Sequence, residues 1–305
     1  MRFALLFSLS TFASLASGNL LLADQFTFST LDFPGSLSTS PISINSAGEI
    51  VGQYEQMHGF VYLNGVYTTL DFPGANSTAL TGINDHGQIV GFTNGSIGPS
   101  FLLSDGIYSL IAFPGAQRTI ALGISNSGQV VGQYYGSADG FVDSNGVFTT
   151  INFPGAFATQ PMGINDAGQI VGQYSSNNSF FIPQAFLLSG GTFVKIDSPG
   201  NMFASAMGIN DFGQIVGWYD DGVGMHGFLL SSGVFSTIDV PGAFGTAASG
   251  INDLGQIVGG YSDASGFHGF LATPVPEPRS LPAVAACLIA LFTMARRRKS
   301  PARQK

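Results

Sequence analysis

The chain has 305 residues, with 18 acidic side chains against 10 lysines and arginines and a single cysteine. Between Asp24 and Thr273 only Arg118 and Lys195 are cationic, against 17 of the 18 acids, so this stretch carries about −15 with histidine neutral. A body this acidic repels nucleic acid, and without a CxxC pair a cysteine zinc site or dithiol centre is excluded.

Residues 1–18 read as a secretory signal helix. Arg2 is basic, residues 3–15 are largely apolar, and the small residues Ala16, Ser17 and Gly18 follow. Cleavage is expected there or after Ala23. The competing reading is an internal strand.

From residue 26 onward the chain repeats itself. The cleanest core is GINDLGQIVG from Gly250, with copies starting at Gly208, Gly163, Gly123, Gly82 and Ser43. Each follows a Pro-Gly, at Pro34, Pro73, Pro114, Pro154, Pro199 and Pro241, which are spaced by 39, 41, 40, 45 and 42. Each leads to an anchor phenylalanine: Phe60, Phe101, Phe141, Phe186, Phe228 or Phe270. All length variation falls between the GQIVG run and that Phe. One variable loop per repeat places those loops on a common face.

Within one unit, residues 79–84 form a short strand. The turn Asn84-Asp85-His86-Gly87 follows, its Gly supplying a positive φ. Residues 88–92, 100–103 and 107–113 supply three more strands, and Asp105-Gly106 makes a hairpin turn. Four hairpin-linked strands in about forty residues are the proportions of a propeller blade. The expected fold is therefore all-β, a six-bladed propeller over residues 24–273. Its last unit lacks a fourth strand. The segment FTFSTLDF at 26–33 matches GVYTTLDF at 65–72 and is expected to supply it, removing the open sheet edge.

Candidate chemistry within the repeats is sparse. His58, His226 and His268 each open an HGF triplet, and His86 lies in a turn. None falls in a metalloprotease or triad spacing, so the expected role is structural. Asp85, Asp166, Asp211 and Asp253 share one repeat position, and Asp32, Asp71, Asp197 and Asp239 another. The first set is expected to cap its own NDxG turns, with weak Ca²⁺ binding as the alternative because the ligands are hard oxygens. No cofactor is expected and no repeat stands out as catalytic. Tyr54, Tyr134, Tyr174, Tyr219 and Tyr261, with Trp218 alongside, open the variable loops. They either pack between blades or form a ligand face on which sugars stack, and packing is the favoured reading. The longest loop, 175–184, is the best place for a distinctive contact.

Residues 274–280 (PVPEPRS) read as a proline-rich linker. A fifteen-residue apolar run follows at 281–295, then Arg296, Arg297, Arg298 and Lys299. The run is shorter than the roughly twenty residues a spanning helix prefers, and its basic flank favours the cytoplasmic side. Cys287 lies inside it.

Two resemblances follow. The tail, with Pro276, Glu277 and Pro278, then an apolar transmembrane helix and basic tail over 281–299 that includes Arg296, Arg297 and Arg298, resembles the PEP-CTERM sorting signal of Gram-negative bacteria. That implies transient inner-membrane anchoring, processing by an exosortase and surface delivery, often with exopolysaccharide; a plain membrane anchor is the alternative. The repeat resembles the HAF family of extracellular repeats, with HGF here in place of HAF at His58, His226 and His268. It implies an exported surface protein and no particular reaction. The combined expectation is a monomeric, non-catalytic adhesion or matrix-binding scaffold on the cell surface. The alternative is an exported glycosidase or lyase with its site at the propeller axis.

Overall fold

The computed structural model describes residues 26–275, except 56, 95–97, 177–181 and 202. The expected signal segment, the sorting residues Pro276, Glu277, Pro278, Arg296, Arg297 and Arg298, and the apolar run at 281–295 lie outside the described residues. No helix among the described residues is long and apolar enough to cross a membrane.

Six antiparallel four-stranded sheets stand around an axis. In blade 1 the order from axis to rim is Thr39–Ile44, Ile50–Tyr54, His58–Leu63 and Val66–Thr69. Innermost strands of neighbouring blades pack on one another right round the ring, blade 6 against blade 1 included. Blade 6 takes Gly245–Ile251, Ile257–Asp263 and Gly266–Pro274, and its rim strand is Phe26–Leu31 from the start of the chain. Phe26 lies opposite Pro274 and Leu31 opposite Gly269, so the ring closes with the expected strand exchange.

The repeat residues explain the blade. The turn glycines Gly48, Gly87, Gly128, Gly168, Gly213 and Gly255 all have φ between 70° and 81°. That left-handed backbone is open to Gly at little cost. In the hairpins, Asp105 and Gly106 both have positive φ (50° and 76°), the type I′ geometry that matches strand twist. The glycine of each IVG is the cross-strand partner of the anchor phenylalanine, as in Gly217 with Phe228 and Gly259 with Phe270. A Cβ on Gly259 would come within 2.8 Å of the Phe270 ring. The motif IVG and the later Phe are therefore one packing unit, with the ring occupying the space the glycine leaves. All six anchor phenylalanines are fully buried. Each contributes roughly 1.5–3 kcal/mol through burial.

The core is divided into six clusters, and several of them cross a blade boundary. Val131 of blade 3 packs with Ile151, Ile164, Ile170, Tyr174 and Phe186, and Val258 of blade 6 packs with Ile44, Ile50 and Phe60 of blade 1. The two faces of the ring differ. The NDxG turns and the Asx-Gly hairpins lie on one, which we call the turn face. The variable loops and Pro-Gly connectors lie on the other, the loop face.

Candidate functional site

Three places in the ring bring chemistry together: the axial turns, the histidines of the loop face, and a groove between blades 3 and 4.

At the axis the NDxG turns work differently from the sequence expectation. Asparagine, not aspartate, caps its own turn. Asn84 Oδ1 accepts the His86 N–H at 3.1 Å and the Gln88 N–H at 3.0 Å. Its amide donates to Gln88 Oε1 at 2.8 Å and to the Ser125 carbonyl of the next blade at 3.0 Å. The aspartates reach across blades instead. Asp85 accepts the Ser46 N–H at 2.7 Å, Asp166 that of Asn126 at 2.7 Å, and Asp253 that of Asp211 at 2.9 Å. The reason is ring geometry: the neighbouring blade's turn is nearer the carboxylate than its own. Burial pushes the Asp211 carboxyl above the ordinary carboxylate value of 3.8, opposed by a backbone hydrogen bond. Among the described residues, no group of three or more His, Cys, Asp or Glu could hold a metal ion.

Behind these turns the axial channel holds about 380 Å³. Its wall is built from residues such as Ile42, Thr81, Leu122, Met162, Met207 and Ser249, with no carboxylate or histidine among the described lining residues.

On the loop face, histidines and the rim aspartates form pairs. His58 Nδ1 lies 2.9 Å from Asp71, His226 Nδ1 2.8 Å from Asp239, and His268 Nδ1 2.9 Å from Asp32. These pairs join the third strand to the end of the rim strand in blades 1, 5 and 6. In blade 6 the pair also fastens the exchanged first strand. There Ser265 Oγ lies 2.8 Å from His268 Nε2, and its hydroxyl is also 2.6 Å from Asp263. The hydrogen bonds from Ser265 are the main reason the Asp263 carboxyl sits below its ordinary value.

The tyrosines take the packing role. Tyr54, Tyr134 and Tyr174 lie flat on the connector phenylalanines Phe33, Phe113 and Phe153, with centroids 3.7–3.8 Å apart and planes within 5°. Tyr219 and Tyr261, whose connectors carry Ser198 and Val240 in place of Phe, lie against His226 and His268, as Tyr54 also does against His58. Hydroxyls of Tyr54, Tyr219 and Tyr261 bond Thr69, Thr237 and Thr30 on the rim strands. Tyr174, Tyr219 and Tyr261 are buried, and Tyr54, Tyr134 and Trp218 are half-buried.

A groove of about 760 Å³ runs between blades 3 and 4 on the loop face. Tyr135 (47 % exposed) and Phe157 (44 % exposed) stand along it, with Gln133, Gln160, Gln173, Asp139 and Ser175. Gln173 donates to Gln160 Oε1 at 2.6 Å, fixing two amides in the wall. Arg118 lies over Phe92 and under the Tyr135 ring, which holds that ring in place. The Ser175 hydroxyl is buried and makes no hydrogen bond. A buried polar group without a partner carries a desolvation cost that a ligand atom can relieve. The sequence reading placed the distinctive contact at the loop that Ser175 opens, and the groove adjoins it. It did not single out Tyr135, Phe157 or Asp139: Tyr135 and Asp139 depart from the repeat, and Phe157 shares its place with Phe244.

No family model and no curated protein matches the chain. Solved structures do. Selenomethionine-substituted virginiamycin B lyase from Staphylococcus aureus is 15 % identical over 82 % of this chain and 100 % of its own, with a TM-score of 0.51. A catalytically inactive virginiamycin B lyase of the same organism, with quinupristin, is 14 % identical over the same shares, with a TM-score of 0.49. Trypanosoma rangeli sialidase is 8 % identical over 78 % of this chain and 55 % of its own, with a TM-score of 0.44. At such identities the likeness shows the propeller fold and nothing of the chemistry.

Proposed function

We propose that this chain is an exported surface protein whose propeller binds glycan without transforming it, and that the groove between blades 3 and 4 is the binding site. The observation that carries the reading is the groove's make-up. The exposed Tyr135 ring, the fixed amides and one unpaired buried hydroxyl are groups that stack on sugar faces and bond sugar hydroxyls. Export by a signal peptide, and sorting through the PEP-CTERM-like tail with exosortase processing, supply the route and the association with exopolysaccharide. Phe26 and Pro274 pair at the turn-face edge, the end of the ring opposite the grooved loop face.

Two measurements test this. A glycan array probed with residues 24–275, the unit within which the ring closes, is expected to give saturable binding that Tyr135→Ala weakens. Deleting residues 276–305 in cells is expected to abolish surface association; unchanged retention refutes the routing.

A second reading, a carbohydrate-active enzyme, draws on one observation. Ser265, His268 and Asp32 form a continuous hydrogen-bonded chain able to polarise a hydroxyl. Asp263 competes for the same hydroxyl proton. Release of new reducing ends or of acetate from polysaccharide by the purified body, lost in Ser265→Ala, would favour it over the binding reading.

A further inference from the structure

Blade 3 carries a pair of side chains that the other blades lack. Arg118 on its innermost strand lies directly opposite Tyr135 on the next. The other blades hold different pairs there, such as Ser77 with Asn94 and Ala158 with Ser175, and none of them includes a cation. Cross-strand partners share a face of the sheet, so the guanidinium lies against the ring, with its Cζ 5.8 Å from the Tyr135 centroid. The same Cζ is 5.6 Å from the centroid of Phe92 in blade 2. The side chain is thus held between two aromatic rings at the blade that forms one wall of the groove.

What this arginine lacks is an anion. Only it and Lys195 are cationic between Asp24 and Thr273. Lys195 meets Asp197 at 2.9 Å. Arg118 forms no ion pair among the described residues. A guanidinium carries five N–H donors. Here Nη2 donates to the Thr93 carbonyl at 3.2 Å, and Nε is buried without a partner. Asp139, the carboxylate of the adjoining groove, is taken up by the Asn152 amide and the Ser137 hydroxyl. A part-buried cation without a counter-charge is desolvated without full compensation. The two rings offset some of that cost, but a ring face does not accept the in-plane N–H groups. An external anion does.

Resting on the glycan-binding reading above, we propose that the groove's ligand is a glycan carrying a single acidic sugar, a uronate, in an otherwise neutral chain, and that Arg118 binds its carboxylate. Tyr135 lines the groove and touches the guanidinium, so a sugar seated at that ring brings its carboxylate to the unused N–H groups. A guanidinium–carboxylate hydrogen bond is stronger than its neutral counterpart. A fully acidic chain is disfavoured. One guanidinium neutralises one carboxylate, and the acidic body, at about −15, repels the others.

The test uses residues 24–275 and three probes of similar length in titration calorimetry at physiological salt: a xylo-oligosaccharide bearing one glucuronate, the methyl ester of that compound, and an oligogalacturonate. The mono-uronate is expected to bind about tenfold more tightly than its methyl ester, the scale of one charge-assisted hydrogen bond, and more tightly than the oligogalacturonate. Arg118→Gln is expected to remove the preference for acid over ester. Lys195→Gln, at the other cation of the body, is the control and is expected to leave the preference intact. Circular dichroism melts check that both variants fold, and the acid–ester comparison on the unaltered protein stands without them. Equal affinity for acid and ester overturns the carboxylate assignment and leaves glycan binding standing. A preference that survives Arg118→Gln, or that Lys195→Gln removes as well, also overturns the assignment. Tighter binding of the oligogalacturonate overturns the single-carboxylate ligand. Failure of all three probes to bind refutes the glycan reading itself, and this proposal with it.

Discussion

Blade 3 has a weak rung, and repairing it should stabilise the protein. In five blades an asparagine amide reaches the turn carbonyl of the next blade: Asn45 to Asn84, Asn84 to Ser125, Asn165 to Asn210, Asn210 to Asn252, and Asn252 to Asn45 across the closure. In blade 3 the position is Ser125, whose shorter side chain bonds only within its own turn, to Gln129 N–H at 3.2 Å and Ser127 Oγ at 2.8 Å. Ser125→Asn would add the amide bond to the Asn165 carbonyl and another to Gln129, and would lose the Ser127 contact. One net buried hydrogen bond is worth about 0.5–1.5 kcal/mol, and two gained against one lost leave about 1 kcal/mol. In a domain of this size that raises Tm by about 2–4 °C. Thermal unfolding followed by circular dichroism measures it, with Asn252→Ser expected to lower Tm by a similar amount. An unchanged or lower Tm in Ser125→Asn would refute the idea that this ladder stabilises the ring.

Other consequences follow from the same geometry. Phe228→Ala empties a fully buried site and should cost about 3–5 kcal/mol in urea unfolding. Phe244→Ala, at a side chain 72 % exposed, should stay within about 0.5 kcal/mol. Asp211→Asn should stabilise at neutral pH. The raised carboxyl pKa, caused first by burial, means the folded state holds its proton more tightly than the unfolded chain, so ionisation weakens the fold as pH rises through the carboxylate range. The amide keeps an acceptor for the Asp166 N–H, as Asn126 already does for Asp85. Its advantage in Tm should vanish as pH falls through that range; an advantage that persists in acid would contradict the cause. Removing residues 26–33 should leave a three-stranded blade 6 with an open edge, seen as concentration-dependent association in sedimentation.

Much of this architecture is legible in the sequence because the repeat is strict where backbone geometry is strict. The turn glycine, the IVG glycine and the anchor phenylalanine each answer a local demand, so their spacing alone gives four strands and six blades. The exchange of the first strand into blade 6 is legible because residues 26–33 copy a rim strand. The roles of Asn84 and Asp85 were not legible in the same way. Which of two adjacent side chains caps its own turn depends on a neighbouring blade some forty residues away. The tyrosines were legible as aromatic but ambiguous, since their stacking partners Phe33, Phe113 and Phe153 belong to the connectors. The groove was least legible. Tyr135, Phe157 and Asp139 occupy places where the repeat varies, and a single chain gives no reason to prefer one departure over another until the fold brings them to one wall.

The most direct test is a hydroxyl-radical footprint of the body with and without exopolysaccharide purified from the producing cells. Protection is expected at Tyr135 and Phe157 on the loop face, with the exposed turn-face residues Phe212 and Leu254 unchanged. Protection confined to the turn face or the channel mouth, or none anywhere at saturating polysaccharide, would contradict the assignment of this groove as the site where the protein meets its glycan.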